Sequence, residues 1–351
     1  MNSFRFLRPG LAAILLTMAC AEASAPLPPA EEVLLVVNST EASLQVVPVN
    51  APTSSIRIPL GGTTPTPVGV SARAGWAVVP MGLDNAVAVV DLTQGAVVRT
   101  IPLAANSGAT GSVIVDDSIA YVANPGLNTV TRVNYLTGDT ASVDVGVYPQ
   151  AVISARGKLF VVNGNLVNFS PAGASWLTVI DPQTNALASG IDSIPLPGPG
   201  NAGFVELAGD GLLYVMSTGP YDGLTPGRIN SVDPVSRTEL GSFGGFGTAP
   251  GPIATNGTDR LYVSSYSEGL MVYDLVAGKI LRGAGDGVAI SNNSAVAVDG
   301  EGRIYALESG PCTGGTPGVI HILRRDLSEI RAVNAGECPV GATVTEIPPT
   351  P

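Results

Sequence analysis

Residues 121–139 read YVANPGLNTVTRVNYLTGD: four strand-forming residues, a Pro-Gly turn, a second strand and a Thr-Gly turn. The leading tetrapeptide returns along the chain as LVVN (35–38), AVVP (77–80), FVVN (160–163), YVMS (214–217), YVSS (262–265) and YALE (305–308). With YVAN (121–124) this makes seven copies, whose last residues are separated by 42, 44, 39, 54, 48 and 43 positions. Each is followed by a second apolar strand that in most copies runs into a turn, as in AVAVVDLTQG, WLTVIDPQTN and GLMVYDLVAG. A third strand comes next, as in AVVRTIPL, and then a fourth built from small apolar residues: PVGVSA, GSVIVD, PQAVIS, AGFVEL, GPIATN, SAVAVD and VGATVT.

Four short strands every roughly 40–50 residues is the signature of a propeller blade, a twisted sheet that buries both faces only when neighbours stack around an axis. The predicted fold is therefore all-β: a seven-bladed propeller with four antiparallel strands per blade. The small residues of the fourth element suit the crowded axis, so it becomes strand A and the tetrapeptide strand B. The chain then begins on a B strand and ends on an A strand. The closing blade must combine residues near 33–60 with those near 340–346, which leaves no open sheet edge between the termini.

This pattern of strand, YVAN, a strand ending in Val-Ile-Asp and then Thr-Gly or Thr-Asn resembles the YVTN family of seven-bladed propellers. The resemblance covers nearly all of the chain after its N-terminal segment. It implies the fold, and it implies functions as varied as lactonase-like enzymes, surface-layer proteins and periplasmic binding proteins.

The composition fits many short buried strands joined by turns. Of 351 residues, 43 are Gly and 29 Pro, only 13% are charged and 45% are hydrophobic, so the chain can fill a core. A formal charge of −11 and a sequence pI near 4.5 argue against nucleic acid or anionic lipid as a general electrostatic partner.

At the N-terminus, Arg5 and Arg8 precede the apolar run LAAILLTMA, too short to span a bilayer and arranged like an export signal. LLTMAC resembles a bacterial lipobox, which implies a signal peptide over 1–19 and lipid attachment at Cys20; the alternative is plain cleavage at an A-x-A site. Loss of two arginines would take the charge from −11 to −13. Residues 20–32 form a Pro/Ala-rich tether, 33–347 the propeller and 348–351 a tail. Ala21, rather than Asp, after the lipid site points by resemblance to sorting rules toward the outer membrane, with soluble periplasmic protein as the other location. The membrane is met only through that lipid, and the protein is expected as a monomer. The two remaining cysteines, Cys312 and Cys338, fall in neighbouring loops of the seventh unit and suit a disulfide in an oxidising compartment. A bridge between them would close a loop of about 25 residues and contribute roughly 3 kcal/mol on a chain-entropy basis.

Alternating strand direction places the A–B and C–D turns on one face and the B–C and D–A loops on the other. The first set is uniformly short; NGNLVNFSPAGAS, STGPYDGLTPG, ESGPCTGGTPG and SFGGFGTAPGP all lengthen the second. Binding is expected on this loop face. Its candidate contact residues are Asn165, Tyr221, Asp222, Phe243, Phe246, Tyr266 and Glu268. Phe243 and Phe246 either anchor a ligand or tuck over a blade edge. Arg73, Arg156, Lys158, Arg260, Arg303, Arg237, Lys279, Arg324 and Arg325 make the short-turn face the more basic one. Acids on the loop face include Glu41, Asp84, Asp286, Glu308 and Glu337.

No nucleophile, P-loop, H-E-x-x-H or haem motif is present, so no catalytic residue is assigned. The lone His321 is expected as a packed strand residue. The ends of the B strands supply Asn38, Asn124, Asn163 and Glu308, with Asn201 and Asn293 at the starts of A strands. Such oxygen donors suit an axial Ca²⁺ as cofactor, the site used by lactonases of other propeller families, unless the amides serve their own turns. The leading expectation is a protein that binds a protein, peptide or glycan at the loop face. A lactonase-like hydrolase and a structural cell-envelope protein are the alternatives.

Overall fold

The B strands are apolar on both faces, and the structure shows why. In the computed structural model, which describes residues 29–349, seven four-stranded antiparallel blades surround a central channel. The expected signal segment, Cys20 and most of the expected tether lie outside the described residues. Strand Glu31–Asn38 sends Val33, Leu35 and Val37 toward blade 2 and Leu34 and Val36 toward blade 7. The same alternation holds around the ring, so the core consists of seven separate apolar layers, one between each pair of neighbouring blades. A fully buried Val, Leu or Ile contributes about 1.5–3 kcal/mol. No blade can collect this alone, because half of each layer belongs to its neighbour.

All seven tetrapeptides form B strands, and each strand ends on the last residue of the repeat: Asn38, Pro80, Asn124, Asn163, Ser217, Ser265 and Glu308. The A strands are innermost. Each meets the next around the axis, and Pro339–Ile347 meets Ser71–Arg73 to complete the circle. The C-terminal strand lies antiparallel to the first one, with Val344 opposite Leu34 and Ala342 opposite Val36.

Blade 4 departs from the repeat. Its long spacing accommodates a two-stranded hairpin, Leu166–Val167 with Ser170–Pro171, set into the B–C loop. Its outermost strand is interrupted, with Ala186–Leu187 and Ser193–Leu196 pairing separately with Ser175–Asp181.

The Asp or Asn that ends most C strands caps the C–D turn. Asn134 Oδ1 accepts the Leu136 and Thr137 amides at 3.0 Å each, and Asp233 Oδ1 accepts the Val235 amide at 2.8 Å. The Ser236 hydroxyl and the Val235 amide hold the Asp233 carboxyl below its ordinary pKa. In the A–B turns, Asp116, Asp210, Asn256 and Asp299 do the same work. The short-turn face is thus stapled to itself by its own side chains.

Cys312 and Cys338 are bonded, with Cα atoms 4.6 Å apart. The bridge joins the B–C loop of blade 7 to the crossing into the C-terminal strand. Ser39 N donates to Cys338 O at 2.9 Å, so the disulfide sits where the two ends of the chain meet.

Candidate functional site

The seven A strands leave a channel along the axis. At the loop face it opens into a cavity of roughly 570 Å³ lined by Val68, Gln150, Phe204, Pro252, Tyr221 and Tyr266, among others, with no charged side chain in its wall. Some of its polar groups are engaged. Gln150 Nε2 donates to Asn201 Oδ1 at 3.0 Å and to Ala202 O at 2.9 Å, and Thr110 Oγ1 donates to Gln150 O at 3.0 Å. What the mouth offers is chiefly apolar and aromatic surface.

Large apolar side chains stand exposed on the B–C loops of three consecutive blades, Val167 and Phe169 in blade 4, Tyr221 and Leu224 in blade 5 and Tyr266 in blade 6, and of these Tyr221 and Tyr266 line the opening. Tyr221 is 65% exposed, Phe169 77% and Leu224 84%, far more than packing would leave uncovered. Tyr148 meets Phe169 edge-on at 6.2 Å. Burial, and then the neighbouring Tyr221, raise the Tyr148 pKa. Tyr148, Phe169 and Tyr221 all adopt left-handed backbone, with φ of 57°, 61° and 56°. A bulky residue there is held against its intrinsic preference, and Gly or Asn would be easier to accommodate.

Of the other residues singled out in the sequence, Asn165 holds the base of the blade 4 hairpin, its Nδ2 donating to Ala174 O at 2.9 Å. Asp222 organises its own loop by accepting the Leu224 and Thr225 amides, which hold its carboxyl below the ordinary pKa. Glu268 Oε2 accepts the Gly285 amide at 2.6 Å. Phe243 and Phe246 tuck into the blade 5–6 layer. Phe246 is fully buried and Phe243 stacks on Tyr273 at 4.2 Å, which removes them from the contact surface.

The expected turn of the B-strand ends toward the channel does not hold for the asparagines, since the A strands line the axis. Asn38 Oδ1 accepts the Gly336 amide and Asn163 Oδ1 the Gly146 amide, both at 3.0 Å, while their Nδ2 atoms donate within their own blades. Asn124 Nδ2 donates to Thr129 and Thr131. Asn201 Nδ2 donates to Gly219 O, and Asn293 is fully buried. Glu308 and Glu329 bracket His321 at 3.1 and 3.2 Å, with Glu308 opposite Asn293 in the strand pairing. The amide oxygens of Asn38 and Asn163 are committed to backbone N–H groups and are poorly placed to ligate an axial Ca²⁺, while Asn124 Oδ1 is buried without a hydrogen-bond partner. Among the described residues no three His, Cys, Asp or Glu side chains gather as a metal cluster.

The basic character expected of the short-turn face also needs correction. Arg73 pairs with Asp117, Lys158 with Asp181, Arg260 with Asp259 and Asp274, and Arg303 with Asp299 and Glu301. The turn-capping aspartates neutralise much of the charge that the arginines bring.

No protein-family model matches the sequence, and no curated protein matches it. Among solved structures, the chain is similar to a chain of Kuenenia stuttgartiensis hydrazine synthase, with a TM-score of 0.65 at 14% identity over 89% of this chain and 100% of that one. At that identity the likeness concerns the fold alone.

Proposed function

We propose that this propeller is a binding protein that captures a protein segment or peptide at the channel mouth on its loop face. The observation that carries the proposal is the group of exposed aromatics on blades 4 to 6, Phe169, Tyr221 and Tyr266, the first two in left-handed backbone and the last two lining an uncharged cavity. Aromatic side chains give large contact area at low entropic cost and dominate interface energetics. A glycan would need many free hydrogen-bonding groups beside the rings, and here Gln150, Asn201 and Thr110 bond to one another and to the backbone. That favours peptide over sugar.

The sequence supports a location to match. A lipobox-like LLTMAC and a Pro/Ala-rich tether suit an exported YVTN-type propeller held at a membrane by lipid on Cys20, with the folded body free to meet envelope partners. Peptide selection against the protein, followed by calorimetry on a Tyr221→Gly, Tyr266→Ser double variant, tests the binding role. The selected peptides are expected to lose at least tenfold in affinity. Unchanged binding to the double variant would move the site elsewhere and overturn the reading.

A further inference from the structure

Below the mouth the channel continues into a section of roughly 350 Å³ enclosed by the seven A strands, whose Val70, Val113, Val152, Ile153 and Val205 side chains pack in the layers between blades so that much of the wall is polar, and then into a small, mainly polar chamber of about 140 Å³. Gly69, Phe204 and Pro252 line both the mouth and the enclosed section, so the two are continuous. Glu206 lines both the enclosed section and the chamber, and among the described residues lining the channel its side chain is the one carboxyl, with no cation beside it. Strand Ala202–Leu207 runs from the mouth inward. Gly203 to Glu206 is three residues, about 10 Å at the usual strand rise.

A carboxyl in this position has no structural duty. It caps no turn and forms no ion pair, and burial alone, without an opposing hydrogen bond or charge, pushes its pKa up to about 8. Water reaches it through the channel, yet seven strands crowd it from every side. The strands that share its chamber contribute Thr255, Val296, Ala342, Thr343 and Val344, none ionisable; Glu346 is the other carboxylate on those strands and does not line the chamber. Asp84, Asp222 and Glu268 on the loop face accept backbone amides without a cationic side-chain partner, so the approach from the mouth favours positive charge.

We propose that the channel takes a primary ammonium group carried on a slender chain whose apolar end rests in the mouth, the ammonium reaching down to pair with Glu206 beside Thr255 and Thr343. The ammonium site is separate from the aromatic rim, so capture of a peptide at the rim and of an amine in the lumen fail independently. Because the empty carboxyl holds its proton at neutral pH, binding the ammonium releases that proton to solvent, leaving carboxylate against ammonium.

Octylammonium, with octanol as the uncharged control, tests this by calorimetry on the full mature protein. Octylammonium is expected to bind the wild type at least tenfold more tightly than Glu206→Gln, to gain affinity from pH 6 to pH 8, and to give a heat at pH 7 that varies with the ionisation enthalpy of the buffer. Octanol should not distinguish the two proteins. Glu206→Gln keeps the shape and removes the buried charge, and its melting temperature verifies that it folds. Equal affinity of the two proteins for octylammonium, buffer-independent heat, or no octylammonium binding would overturn the proposal, whatever peptides do at the rim.

Discussion

Asn163 shows at the scale of one residue what the repeat motif is for. Its amide reaches the crossing between blades 3 and 4, where Gly146 N donates to Oδ1, while Nδ2 donates to Trp176 O at 3.1 Å and to Thr178 Oγ1 at 2.9 Å. A Cβ on Gly146 would lie 2.5 Å from Asn163 Cγ and from the Trp176 ring, so the glycine permits the stitch. Asn38 and Gly336 repeat the arrangement at the closure. Replacing Asn163 by Leu strands a buried amide, and chemical denaturation should show a loss of about 1–3 kcal/mol. Asn is a common turn residue and also a common Ca²⁺ ligand; only the partner glycine, distant in sequence, tells the two apart. Glu206 was legible in a different way, as a charge inside an A-strand segment, AGFVEL, where Asp116 and Asp299 fall only at the ends of theirs. Its raised pKa has a definite sign in stability. The folded state binds the extra proton between the ordinary glutamate pKa and about 8, so stability falls as pH rises through that window. Glu206→Gln should therefore melt higher than wild type at pH 9 and differ little at pH 4, a comparison that thermal scans at the two pH values make directly.

At the scale of the element, strand B was fully legible because its burial on both faces leaves a continuous apolar run, bounded by turns of fixed chemistry. The blade 4 insertion was not. NGNLVNFSPAGAS carries Gly, Asn and Pro that read simply as a long loop, and the hairpin within it is two residues per strand, below what periodicity can register. The same local blindness hid the balance of the short-turn face, where the capping aspartates of C–D and A–B turns serve the backbone and the neighbouring cations at once. The disulfide, by contrast, followed from topology, since the two loops of one blade that share a face end close together. It ties the last crossing to the blade 7 loop with a sequence separation of 26 residues. Reduction, or the Cys312→Ser, Cys338→Ser pair, should cost about 2–4 kcal/mol in denaturant unfolding, with the early opening confined to the junction of Glu31–Asn38 and Pro339–Ile347.

At the scale of the whole molecule, the ring presents two unlike faces. One face is short, capped by its own side chains and ion-paired; the other carries the long loops, the exposed aromatics and the open mouth of the channel. Seven apolar layers make each blade depend on two neighbours, so the scaffold beneath the loops is stiff while the loops are free to differ from blade to blade. The sequence pattern reached this division through the lengths of its turns alone, but the pairing of Tyr148 with Phe169 and the meeting of Tyr221 and Tyr266 at the channel mouth exist only in space. Hydrogen exchange of the protein with and without a selected peptide tests the division most directly. Protection is predicted in residues 164–174, 218–227 and 265–268, with the short turns unchanged. Protection centred on the A–B and C–D turns would contradict the account.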